Sequence, residues 1–378
     1  MKINIDHVQQ PAMLAIFEYL HGYRQSLDKN YVSDWTFSYN AASIEHDINI
    51  RFVGMHESIS TIDTDAYDLI FVSNNSEPLH VFDRNHIDLL QADNAYILAN
   101  ALLTADHPLT EKVISIPLGI LFMCAEYWIR PQYPQLYTNG RDRALPKTLD
   151  LIAINGQNRA HRQYFFDELR DCIPGIQIID NFPSVERLKA GQWESKQDKE
   201  FREWVNNRYA DSIVHDAISQ NRFYEQSIAT GIGCKSGKIP LAFFLPIQYY
   251  QSHCVIFPES SWQNDEIAIT EKAAKCFLAG SVPFPIGGAH TNSLYNSLGF
   301  STAWNLLPDD LKNFDAERDH RARYQSICQA VRWFKDNPSV FLGEQYQQMI
   351  STNRDLFTSR ASITPCIARL SDIIAACR

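Results

Sequence analysis

The chain has 378 residues, too many for one ordinary domain, so two domains are the default. Hydrophobic residues make up 45% and charged ones 21%, which supplies sizeable cores and excludes wholesale disorder. The net charge of -10 excludes a general nucleic-acid binder, which carries a basic face, and argues against broad adhesion to anionic lipid.

The start, MKINIDHVQQPAMLAIFEYL, lacks the sustained apolar run of a leader, and no run approaches the roughly 20 apolar residues that span a bilayer. Short apolar stretches then alternate with helical ones. INIRFVG (48–54), DLIFVSN (68–74), NAYILAN (94–100) and VISIPLG (113–119) predict strands, each ending near Gly, Asn or Pro. HIDLLQAD between them predicts a short helix. From Arg130 to Thr148, RPQYPQLYTNGRDRALPKT is rich in proline and basic residues and reads as a linker.

LDLIAIN (149–155) predicts a buried strand, RAHRQYFFDELRD a helix with Tyr164, Phe165 and Leu169 on one face, and IQIID (176–180) another strand. Residues 186–221 read as polar helix with loops, and the chain from Arg318 onward reads as helical. The eight cysteines form no CxxC pair, and several sit in apolar runs such as SHCVIF and AAKCFLAG. They predict buried free thiols, not a disulfide frame or a zinc site.

Val255 to Gly288 carries the most chemistry. VIF predicts a strand, Glu259-Ser260-Ser261 a polar loop, Thr270-Glu271-Lys272 the opening of a helix that stops at Gly280, and SVPFPI a second strand closed by Gly287-Gly288. An acidic-hydroxyl loop and a Glu-Lys pair at one sheet edge suit the sugar and phosphates of a nucleotide. A bland reading of the same residues is a threonine N-cap with Glu and Lys on a solvated helix face.

These residues resemble the alpha-1,3-fucosyltransferases and their bacterial relatives. Their strand, FENS loop, V/I-T-E-K helix and AGxVPxxxG strand are matched by Glu259-Ser260-Ser261, Ile269-Thr270-Glu271-Lys272 and Ala279-Gly280-Ser281-Val282-Pro283 with Gly287-Gly288. The family's arginine after an upstream strand is matched by Arg162, with Arg159 as second choice, and its general-base glutamate by Glu77 in IFVSNNSEPLHVFD. The resemblance implies the GT-B fold and inverting sugar transfer from a GDP-sugar. Glu77 would be the catalytic base, and Arg162, Glu259, Ser260, Thr270, Glu271 and Lys272 would bind the donor. Two positions depart from the family. Its loop asparagine is Ser260 here and its tyrosine is Ala268, so sugar-nucleotide transfer is implied more firmly than fucose.

The chemistry fits the residue types. Inverting transfer needs a base for the acceptor hydroxyl proton and cations or backbone donors for the departing diphosphate. Lys272 combines an ammonium with a helix's positive end, and Glu271 can accept from a pair of sugar hydroxyls. Arg162 can clamp a diphosphate bidentately, or pair on the surface with Asp167 or Glu168. Asp83 is the rival to Glu77. GIGCKSGKIP lacks the spacing of a phosphate loop, Asp63-Thr64-Asp65 precedes a strand and predicts a turn, and the histidines show no metal-binding spacing.

The sequence therefore predicts an α/β chain of GT-B type, two Rossmann-like domains facing each other across a cleft. Its parts are an acceptor-binding domain (1–129), a linker (130–148), a nucleotide-sugar-binding domain (149–345) and C-terminal helices (346–378). No cofactor or metal is expected beyond the nucleotide sugar, with a GDP-sugar favoured. The expected partners are that donor and a glycan acceptor such as lipopolysaccharide or capsule, and no nucleic acid. A cytoplasmic setting is expected. The last stretch, ITPCIARLSDIIAACR, is expected to pack across the domain junction, with peripheral docking on the inner face of a membrane as the alternative. The competing functions are transfer from a UDP- or CMP-sugar, and a binding protein of the same fold without turnover.

Overall fold

The computed structural model describes residues 2–6, 36–39, 46–54, 62–73, 88–99, 101–103, 110–115, 147–155, 160–180, 247–259, 262–264, 266–359 and 364–377. Its contacts divide the chain into two units, Met1–Tyr127 with Arg360–Arg378, and Trp128–Ser359. The helical tail is thus shared. Of the helices after Arg318, His320–Asp336 and Glu344–Ser359 stay with the second unit, and the last returns to the first.

In the first unit, strands β1 (Lys2–Asp6), β2 (Thr36–Tyr39), β3 (Ile48–Gly54), β4 (Leu69–Ser73), β5 (Ala95–Ala99), β6 (Ala101–Leu103) and β7 (Val113–Ser115) follow the predicted strand runs and add β1, β2 and β6. Six of them form one all-parallel sheet in the order β2-β1-β3-β4-β5-β7. Leu69, Ile70, Phe71 and Val72 are consecutive and all buried, as expected of a parallel strand covered on both faces. Asp63-Thr64-Asp65 is a turn, as its sequence predicts. Thr64–Ala66 forms a single 3-10 turn, and the Asp63 carboxylate accepts from the Asp65 N–H at 3.1 Å.

The second unit holds β8 (Leu149–Asn155), β9 (Gln177–Asp180), β10 (Ser252–Pro258), β11 (Glu266–Ala268) and β12 (Val282–Ile286). Its helices are α1 (Ala160–Cys172), α2 (Ile247–Gln251), α3 (Glu271–Ala279), α4 (Thr291–Ser297), α5 (His320–Asp336) and α6 (Glu344–Ser359). Four strands form a second all-parallel sheet in the order β12-β10-β8-β9. From β8 the chain moves through α1 to β9 on one side, whereas β10 lies on the other side of β8 and leads through α3 to β12. The strand order therefore reverses between β8 and β10. Right-handed crossovers running in opposite directions put α1 and α3 on opposite faces. Accordingly, Tyr164 and Phe165 of α1 pack on Tyr324 of α5, with ring centroids 5.8 and 5.5 Å apart. Phe277 of α3 instead stacks on Phe300 at 4.5 Å and meets Phe357 of α6.

The last helix, α7 (Thr364–Ala376), belongs to the first unit and packs on β7, with Ile367, Leu370 and Ile374 buried. Among the described residues no helix is long and apolar enough to cross a membrane.

Candidate functional site

The carboxyl ends of β8 and β10 lie side by side, and the chain leaving each enters the site. After β8, helix α1 carries Arg162 in its first turn. After β10, Glu259 precedes the loop that leads to α3, whose first residues are Glu271 and Lys272. The two segments meet where the Arg162 guanidinium donates to the Glu259 carbonyl at 2.8 Å. Arg162 is only 2% exposed. It is not a surface arginine paired with Asp167, whose carboxylate takes Arg170 at 2.7 Å and Gln163 at 2.9 Å.

Glu259 is fully buried at the edge of the sheet, with its N–H donating to the Ile286 carbonyl of β12 at 2.7 Å. Thr270 donates to one carboxylate oxygen at 2.6 Å, and Tyr295 of α4 donates to the other at 2.7 Å. Burial pushes this carboxyl up from its ordinary value, against the opposing pull of Lys272 and the two hydroxyls.

Thr270 stands at the N-cap of α3 with extended backbone, yet its side chain caps no helix N–H. Its hydroxyl serves Glu259 instead and accepts from the Lys272 ammonium at 3.2 Å. Lys272 also lies 3.7 Å from the Glu271 carboxylate, whose side chain is 24% exposed. Burial raises the Glu271 carboxyl, but Lys272, Lys275 and Arg162 outweigh it and hold the group below its ordinary value. Lys272 and Lys275 are both buried, as is the rest of α3 to Ala279, so this is not the solvated helix face of the bland reading.

The structure thus brings Arg162, Glu259, Thr270, Glu271 and Lys272 together. Glu77, Ser260, Ser261, Asp83, Arg159 and the GIGCKSGKIP stretch lie outside the described residues. Among the described residues no group of three or more His, Cys, Asp or Glu is placed to hold a metal ion. The described cysteines are free thiols, with Cys254, Cys276 and Cys328 buried. His253 is half-buried within β10, 3.1 Å from the Tyr346 hydroxyl and stacked on Phe341.

Sequence reading missed the frame around these residues. Arg323 of α5 is buried and holds the loop after β10, donating to the Trp262 carbonyl at 3.1 Å and to Asn264 Oδ1 at 2.8 Å. Asn264 Oδ1 also accepts from the Ala289 N–H at 3.0 Å, tying the loop to the turn after β12. Gly288 makes that closeness possible, since a Cβ there would lie 1.8 Å from the Gln263 carbonyl oxygen. Trp262 itself stacks on His161 and meets His320 edge-on at 4.2 Å.

The turn after β12 enters α4 through His290 at φ 69°, a left-handed conformation that histidine tolerates better than most residues. The start of α4 is filled by the chain itself. Asp315 accepts from the N–H groups of Asn292 at 2.8 Å and Ser293 at 2.9 Å, and from the Ser293 hydroxyl at 2.6 Å. Tyr295 and Arg323 lie 36 and 61 residues from their partners, and no local pattern marks either.

No protein family matches the chain, and no curated protein matches it. Several solved structures are similar in fold at low identity. One is an alpha1,3-fucosyltransferase, with 10% identity over 96% of this chain and 91% of that one, at a TM-score of 0.43. Another is an alpha1,3-fucosyltransferase with GDP-fucose, 13% identical over 99% and 90%, at 0.38. A third, from E. coli, is named for trehalose-6-phosphate bound with UDP-2-fluoro glucose, 9% identical over 99% of both chains, at 0.40. Scores below 0.5 at such identities describe a distant likeness, and the α/β assignment rests on the two parallel sheets themselves.

Proposed function

We propose that the chain is a glycosyltransferase of GT-B type that binds a nucleotide sugar on its second unit and transfers the sugar with inversion to a glycan hydroxyl. One observation carries this reading. Arg162 and the Glu259–Lys272 segment converge at the carboxyl edge of a parallel sheet where the strand order reverses. Open α/β sheets bind their ligands at such switch points. Two cations and the start of a nine-residue helix favour a diphosphate there, and the partly exposed Glu271 favours sugar hydroxyls beside it.

In this reading Glu77 takes the proton from the acceptor hydroxyl as its oxygen attacks the anomeric carbon. The bond to the diphosphate breaks with its electron pair going to the phosphate oxygen, and Arg162 and Lys272 neutralise that charge without a metal ion. Ser260, next to Glu259, contacts the donor, whereas Glu259 and Thr270 act from beneath, since their polar atoms are engaged with each other and with Tyr295. A GDP-sugar is the first candidate donor, and a UDP- or CMP-sugar the second. The acceptor is a surface glycan under construction.

The test is a thermal-shift panel of GDP, UDP and CMP, followed by transfer assays with the matching sugar nucleotides with and without EDTA. One nucleotide should raise the melting point by mass action. Glu77→Ala and Lys272→Ala should each cut transfer by at least ~10²-fold. A shift with none of the three would remove the reading. Tight binding without transfer to any acceptor would favour a nucleotide- or glycan-binding protein.

A further inference from the structure

The Glu259 carboxylate is a poor bargain for stability. It is fully buried, both oxygens are held by neutral hydroxyls, Thr270 at 2.6 Å and Tyr295 at 2.7 Å, and the Lys272 ammonium acts on it from beyond Thr270. Burying a charge is costly unless it is well compensated, and an apolar residue of similar size is often as stable. Thr270 adds to the cost by leaving α3 without a side-chain cap. What this arrangement secures is direction. Because the Thr270 hydrogen points at the carboxylate, its oxygen turns a lone pair to the Lys272 ammonium 3.2 Å away. Tyr295 fixes the far oxygen of Glu259, and its own helix is fixed at its start by Asp315.

We propose that Tyr295 is a positioning residue of the nucleotide-sugar site, setting the direction of the Lys272 ammonium through Glu259 and Thr270; this rests on the reading of the site given above. Tyr295 is itself fully buried, and its hydroxyl is spent on Glu259. Its action is confined to the phosphate end of the donor, the part a single ammonium can grip.

The measurement is calorimetric binding of GDP against guanosine and of UDP against uridine. The ratio of nucleoside to nucleoside-diphosphate Kd isolates the phosphate contribution, which a general loosening of the fold would not move selectively. Lys272→Met should lower that ratio about tenfold, the scale of one charge-assisted hydrogen bond. Tyr295→Phe should lower it severalfold, and adding it to Lys272→Met should lower it no further, the signature of residues acting through one another. Thr270→Val should behave like Tyr295→Phe, while Thr270→Ser keeps the hydroxyl and the wild-type ratio. The Thr270 pair carries the test if Tyr295→Phe does not fold.

The proposal falls if Tyr295→Phe lowers only the melting temperature and leaves the ratio unchanged. It also falls if the effects of Tyr295→Phe and Lys272→Met multiply. If the unsubstituted protein binds neither diphosphate more tightly than its nucleoside, the reading of the site fails first and takes this proposal with it.

Discussion

Gly288→Ala is the sharpest probe of how the site is framed. The added methyl would lie 1.8 Å from the Gln263 carbonyl oxygen and 2.7 Å from its carbon, both backbone atoms. The loop cannot simply retreat, because Arg323 holds Trp262 and Asn264, and Asn264 is bonded to Ala289 and to the Arg318 carbonyl. Overpacking of this kind costs about 1–3 kcal/mol. Losing one or two of the restraining hydrogen bonds adds about 1 kcal/mol each, so about 2–5 kcal/mol in all. For a unit of this size that lowers the melting temperature by about 10 °C.

Gly287→Ala is the internal control. Its methyl would meet the Thr291 side chain, with Oγ1 at 2.5 Å. A rotamer change relieves that contact and forfeits only the Thr291 bond to the Gly288 carbonyl, about 1 kcal/mol. Thermal unfolding followed by circular dichroism should therefore rank wild type above Gly287→Ala, and Gly287→Ala well above Gly288→Ala. A Gly288→Ala protein melting within about 2 °C of wild type would refute the packing argument, since that corresponds to less than about 1 kcal/mol.

Two pH dependences follow from buried bases. Lys147 donates to the Ser252 carbonyl at 2.8 Å and to Ser281 Oγ at 3.2 Å, and burial pushes its ammonium down to about 8. Between there and the ordinary lysine value the unfolded chain holds a proton that the folded chain has shed, so this residue's contribution to stability should rise with pH across that window. Urea unfolding of wild type against Lys147→Met should show the difference at pH 8 to 10 and none of that slope below. His320 is pushed down to about 3 by burial and by the neighbouring Arg323, whose guanidinium lies 2.7 Å from its Nδ1. Protonation would destroy that acceptor, so its contribution should be intact above the ordinary histidine value and decline as pH falls towards 3. The advantage of wild type over His320→Asn should shrink between pH 6.5 and 4, and a constant difference would contradict the assignment.

Much of this was legible in sequence where one element carries its own signal. INIRFVG and LDLIAIN are strands over their full predicted lengths, because a run of apolar residues bounded by turn formers has few other uses. The helix opened by Thr270-Glu271-Lys272 closes at Gly280, whose left-handed backbone at φ 67°, ψ 37° ends helices at little cost in glycine. β1 and β2 were missed because Lys2–Asp6 and Thr36–Tyr39 are short and only pairing with β3 and with each other makes them strands.

Residue types and spacing marked Glu259, Thr270, Glu271 and Lys272 at one sheet edge, and the family resemblance added Arg162 after the upstream strand. How they divide the work was decided only in three dimensions. That Glu259 and Thr270 face each other inside, that Arg162 holds a carbonyl, and that Tyr295 and Arg323 brace the assembly depends on contacts across 11 to 97 residues. Such contacts leave no period in the chain. The reversal of strand order between β8 and β10 is likewise a property of pairing, because hydrogen bonds between parallel strands are chosen by the packed sheet and not by neighbours in sequence.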